Sequence, residues 1–146
     1  MSLRRRLIPA SFALACACAL SLAGCGSDMS PSRIDVAGSW SGSWQFQTGG
    51  ATVTDSVTAQ LTQTGTSASG TWAAAGGASG ELSFTAGASI SGTLTISQMT
   101  VTGQTCSATT TISGTASAST ISFTMTTPAA SGICQWAASN QFSLQR

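Results

Sequence analysis

From Val36 to Arg146 the chain alternates apolar and polar side chains with a period of two, and this periodicity predicts β-strands and no helix. In the first segment, about Val36–Gln47, one face carries Trp40, Gly42, Trp44 and Phe46, and the other carries Ser39, Ser41, Ser43 and Gln45. A second segment, Ala51–Gln63, sets Val53, Asp55, Val57, Ala59 and Leu61 on one face. A third ends past Trp72, a fourth turns Leu82 and Phe84 inward, and a fifth carries Ile90, Leu94 and Ile96 towards Val101. Cys106, Ala108, Thr110, Ile112 and Gly114 share one face of the sixth, and Ile121, Phe123 and Met125 one face of the seventh. Cys134, Trp136, Ala138, Asn140, Phe142 and Leu144 share a face of the last. Gly49-Gly50, Gly65, Gly76-Gly77, Gly103 and Ser117 fall at the turns, and Pro128–Gly132 reads as a loop.

Strands with one apolar and one polar face bury the first and wet the second. The polar face is Ser, Thr and Gln, with almost no charge to guard an exposed strand edge. Closure removes the edge, so the expected fold is all-β: an eight-stranded antiparallel up-and-down barrel, with a β-sandwich as the alternative. Gly42, Gly70, Gly92 and Gly114 fall on the inward parity, where a glycine lets a strand bend. Ser-Gly-Thr recurs at 69–71, 91–93 and 113–115, a step of 22 residues that a β-solenoid would also produce. The copies take different positions along their strands and read as shared bending vocabulary.

The N-terminus is of another kind. Arg4-Arg5-Arg6 precedes an uncharged apolar run from Leu7 to Leu20, and Leu22-Ala23-Gly24-Cys25 follows. The run is short for ~30 Å of hydrocarbon and no basic stop-transfer flank follows it, so residues 1–24 read as a secretory signal. Leu22-Ala23-Gly24-Cys25 resembles the lipobox of bacterial lipoproteins. That resemblance implies cleavage before Cys25, a diacylglyceryl group on its thiol and acylation, such as palmitate, of its new amino group. It implies a cell-envelope protein, and Gly26 after the cysteine favours the outer membrane. Residues 25–35 then form a tether of up to ~30 Å when extended, and 36–146 form the barrel domain. Cys16 and Cys18 leave with the signal and Cys25 takes lipid. Cys106 and Cys134 remain as an even pair in an oxidising compartment, the pattern of a structural disulfide.

Gly38-Ser39-Trp40 opens the first strand and Phe142-Ser143-Leu144-Gln145-Arg146 closes the last. This resembles the calycin pattern of lipocalins and avidins. The resemblance implies that Trp40 plugs one end of the barrel, with Arg146 packed over its ring and closing first strand to last.

The chain has no histidine, lysine or tyrosine. After the signal, Arg33 and Arg146 stand against Asp28, Asp35, Asp55 and Glu81, which is no footprint for nucleic acid. A serine without a base is not a nucleophile. Asp55 and Glu81 sit on opposite parity, so they do not make a glycosidase pair. No residue set suits a metal or a cofactor. The expected protein is therefore no enzyme, and it binds no nucleic acid. Asp55 with Thr110 and Asn140, beside Trp44, Trp72 and Trp136, makes a candidate site for a small apolar or amphipathic ligand in the barrel mouth. The alternatives are an envelope protein-interaction module, such as a periplasmic inhibitor or an assembly accessory, and a structural surface lipoprotein. Cys25→Ser is expected to release the protein from membranes; unchanged membrane fractionation would remove the anchor.

Overall fold

The computed structural model describes residues 33–48, 51–101, 103–126 and 140–146. They form β1 (Gly38–Thr48), β2 (Ala51–Thr64), β3 (Ser67–Ala74), β4 (Ser79–Thr85), β5 (Ser89–Val101), β6 (Gln104–Ala116), β7 (Thr120–Met125) and β8 (Asn140–Gln145). Each strand pairs antiparallel with its sequence neighbours, and β1 also pairs with β8, so the sheet is a closed barrel. The closing ladder runs from Ser41↔Gln145 to Gln45↔Gln141. A sandwich would leave two sheets with separate edges, and a solenoid would stack parallel strands, so neither alternative stands. No helix occurs among the described residues. The expected signal at 1–24, Cys25, the tether up to residue 32, the turn at Gly49-Gly50, and Cys134 and Trp136 with the loop before them lie outside the described residues.

The alternation sorts the two sides of the wall. Trp40, Trp44, Leu61, Trp72, Leu82, Phe84, Leu94, Ile121, Phe123, Phe142 and Leu144 are buried inside. Thr58, Gln60, Thr71, Glu81, Ser83, Thr93, Thr109, Thr111 and Gln141 face out and are exposed. A membrane-spanning barrel needs the reverse, an apolar outer band. Aromatic rings fill the middle of the interior. Phe142 stacks on Phe123 with ring centroids 5.0 Å apart and on Trp44 at 5.5 Å, and Trp72 meets Phe142 edge-on at 5.3 Å. Such pairs contribute ~0.5–1.5 kcal/mol each beyond area burial.

The Ser-Gly-Thr triplets have a steric reason. A Cβ at Gly70 would overlap the carbonyl oxygen of Gln60 on β2. At Gly92 it would overlap that of Ser83 on β4, and at Gly114 that of Ser122 on β7. Each triplet centres on the residue whose side chain the neighbouring backbone excludes. β3 and β5 carry it near their starts and β6 near its end, so the even step is not a structural repeat.

One irregularity breaks the period. On β5, Ile96 pairs with Ala108 and Met99 with Cys106, so Ser97 and Gln98 together oppose Ser107 alone. This β-bulge turns the rest of β5 by one residue. Uninterrupted alternation would put Met99 outside; it is buried at 7 % exposure.

One barrel end is sealed. Trp40 donates its Nε1–H to the Val36 carbonyl at 2.8 Å, and the Arg146 guanidinium carbon lies 4.7 Å from the Trp40 ring centroid. Arg146 donates from Nε to Ala118 O (2.6 Å), from Nη1 to Ala37 O (2.7 Å) and from Nη2 to Asp35 O (2.7 Å). Gln63 accepts the Val36 N–H at 2.7 Å and donates to Ile34 O at 3.0 Å. Docking of the chain onto the barrel thus begins before Val36, since Ile34 also packs against the core.

Gly70→Ala is expected to cost ~1–3 kcal/mol or more in urea unfolding, because the added carbon has only backbone to displace. Ser69→Ala, one residue away on the wet face, is expected to stay within about 0.5 kcal/mol. Arg146→Ala is expected to lose about 1–2 kcal/mol through its ring contact and carbonyl partners. Arg146→Lys should recover less than half of that loss, since an ammonium cannot fan out to three separated carbonyls.

Candidate functional site

The other end of the barrel differs from the plugged one. There the ends of β1, β2 and β5 and the β3–β4 turn line a cleft of about 320 Å³, with Trp44, Phe46, Val53, Thr54, Asp55, Gly76, Ala78, Met99 and Thr100 in its wall. The β1–β2 register creates most of it. Trp44 stands opposite Asp55, and Phe46 opposite Val53, all on the inward parity near the strand ends. Towards this rim burial falls off: Phe46 is half-buried and Val53 is 37 % exposed.

Trp44 is the floor. Its ring meets Phe46 at 4.6 Å and meets Trp72 edge-on at 5.6 Å. The side chain is 1 % exposed, and its indole Nε1–H has no hydrogen-bond partner among the described residues. A buried donor left without an acceptor costs ~1–3 kcal/mol. Trp72 below it is satisfied, donating Nε1–H to the Thr95 carbonyl at 3.2 Å.

Asp55 is half-buried at the side of the cleft. Its Oδ2 accepts the Gly76 N–H at 2.8 Å. A Cβ on Gly76 would sit 2.6 Å from that same oxygen, so only glycine lets the carboxylate come this close. The next residue, Gly77, completes the turn at φ 89°, in the left-handed region that favours glycine. Asp55 forms no ion pair among the described residues, and Arg146 is committed to the far end.

Of the residues singled out from the sequence, the structure brings Trp44 and Asp55 together at this cleft. Trp72 belongs to the ring cluster beneath it. Thr110 is buried, with its hydroxyl within hydrogen-bond reach of the Thr126 and Thr111 carbonyls, and it does not line the cleft. Asn140 is buried at the start of β8 opposite Met125, one position past the Gln45↔Gln141 pair, and it does not line the cleft. Trp72, Thr110 and Asn140 share the inward parity of Trp44 and Asp55 but do not line this cleft. Trp136 lies outside the described residues. Cys106 is buried and is not a free thiol, and Cys134 also lies outside them.

Sequence reasoning missed Met99 because the bulge reverses its parity. A large apolar residue on the wrong parity, late in a long strand, is the signal that could have marked it. Ala78 was missed because it belongs to a turn, where no period applies. Glu81 is exposed on the outer wall and Asp55 faces in, so the two carboxylates stand on opposite sides of the sheet. Among the described residues no three of His, Cys, Asp or Glu come together as a metal would require. Comparison with known proteins finds no matching family model, no matching curated protein and no matching solved structure.

Proposed function

We propose that this chain is a lipid-anchored, non-enzymatic envelope module that binds a small apolar or amphipathic ligand in the cleft beside Trp44 and Asp55. The observation that carries the reading is the contrast between the two ends. One is sealed by Trp40 and Arg146, and the other leaves an aromatic floor and one carboxylate around about 320 Å³. That volume falls at the small end of ligand pockets, ~300–1,000 Å³. The ring-filled interior below Trp44 supports a shallow site rather than a deep one.

The envelope half of the reading rests on the sequence. Acylated Cys25 would hold the domain to the outer membrane through the following tether. A disulfide between Cys106 and Cys134 would tie β6 to the segment before β8, stabilising by ~3–4 kcal/mol in the chain-entropy model. A second reading, an envelope protein-interaction module, is favoured by the same packed interior; its partner would be recovered by crosslinking on membranes.

N-Phenyl-1-naphthylamine, an uncharged apolar probe, tests the ligand reading. Titrated against the anchored protein, it is expected to quench tryptophan fluorescence saturably. Val53→Asp, which places a carboxylate on the apolar lip, should weaken the response about tenfold. A linear, unsaturable response that Val53→Asp leaves unchanged would reject the site.

A further inference from the structure

We infer that the mouth cleft takes cationic amphiphiles, with an ammonium head on Asp55 and a short apolar tail against Phe46 and Val53. This rests on the ligand-binding reading above and specifies the charge that the ligand brings.

Asp55 is the only charged residue of the lining. One of its carboxylate oxygens is used and the other is open. Oδ2 accepts the Gly76 N–H at 2.8 Å, which holds the group at the cleft wall. Oδ1 accepts no hydrogen bond among the described residues, and it is not sealed from solvent as Trp44 Nε1 is. The side chain is half-buried, so the fold has already removed part of its hydration.

No cation of the described residues reaches this carboxylate. The whole chain lacks lysine and histidine. Arg146 is occupied by the Trp40 ring and three carbonyls at the plugged end. Arg33 precedes Ile34, whose carbonyl Gln63 holds at that same end. The other acids are elsewhere too: Asp35 accepts the Ala37 N–H at the plug, and Glu81 is exposed on the outer wall.

Phe46 and Val53 are cross-strand partners and form the apolar lip, with Val53 two residues from Asp55. A ligand whose tail covers them also takes water away from Asp55. Burying a charge without a partner is costly, and the ligand must supply what the protein does not. An anionic head adds a like charge beside the carboxylate. A hydroxyl supplies one donor and no charge. An ammonium supplies the opposite charge and three donors, so it compensates the carboxylate as the tail covers it.

The test uses the full acylated chain in nanodiscs of phosphatidylcholine, with empty discs as the reference. Hexylammonium, 1-hexanol and hexanoate share one tail and differ in the head. Isothermal titration at neutral pH and low ionic strength is expected to rank hexylammonium tightest, about tenfold or more ahead of hexanol, with hexanoate weakest. Asp55→Asn keeps an acceptor for Gly76 and removes the charge. It is expected to bring hexylammonium to within about threefold of hexanol, while hexanol itself changes less than about threefold and so reports an intact cleft. Hexanol or hexanoate binding as tightly as hexylammonium would overturn the head-group inference and leave the ligand site standing. So would a tenfold preference for hexylammonium that survives Asp55→Asn. Heats no larger than those of empty discs for all three ligands would remove the site itself, and this inference with it.

Discussion

Closing this sheet requires the first strand to pair with the last, and almost the whole chain lies between them. Arg146 and Ala37, which meet at the closure, are 109 positions apart. The loop-closure entropy of such a contact is recovered only when the barrel is complete. The five-residue ladder between β1 and β8 supplies the backbone bonds. Trp40 and Arg146 add a contact at the end of that ladder which forms only in the closed state. An open sheet of this composition would show two long edges of serine and threonine with no lysine to protect them. Closure therefore serves solubility as well as stability.

The interior follows from that closure. The barrel has few large side chains and many small ones, so its core is not uniform. Trp44, Trp72, Phe123 and Phe142 form one contiguous ring cluster. Gly70, Gly92 and Gly114 stand where neighbouring backbone leaves no room for a Cβ. The plug at one end ties down the N-terminal segment, the β2–β3 turn, the β6–β7 turn and the C-terminus together. At the other rim, among the described residues, glycines shape a turn around a carboxylate. The asymmetry of the barrel, and with it the cleft, is written in where Trp40, Arg146, Gly76 and Asp55 fall.

Part of the candidate site could be read directly. Trp44 and Asp55 lie on the inward parity at matching distances from the first hairpin, so their juxtaposition follows from the register that hairpin imposes. Thr110 lies on the same parity but on β6, three ladders from β1 through β8 and β7, and its hydroxyl turns to the Thr126 and Thr111 carbonyls. Asn140 stands on β8 just past the Gln45↔Gln141 pair, one ladder from β1, and does not line the cleft. Met99 entered the cleft through a bulge of one extra residue, a local event that no periodic rule anticipates.

By itself the sequence determined the strand period, the inward face, the turns and the count of strands, because all of these are set by neighbours within a few residues. It also displayed the tryptophan and the arginine that meet at the closed end. Its unguarded polar edges pointed to the closure that the structure shows, while tertiary structure alone decided that the centre is filled with rings. It alone decided that Met99 and Ala78 join Trp44 and Asp55 around one cleft. Those outcomes depend on the stagger summed around eight strands, and stagger is a property of pairings between residues far apart in the chain.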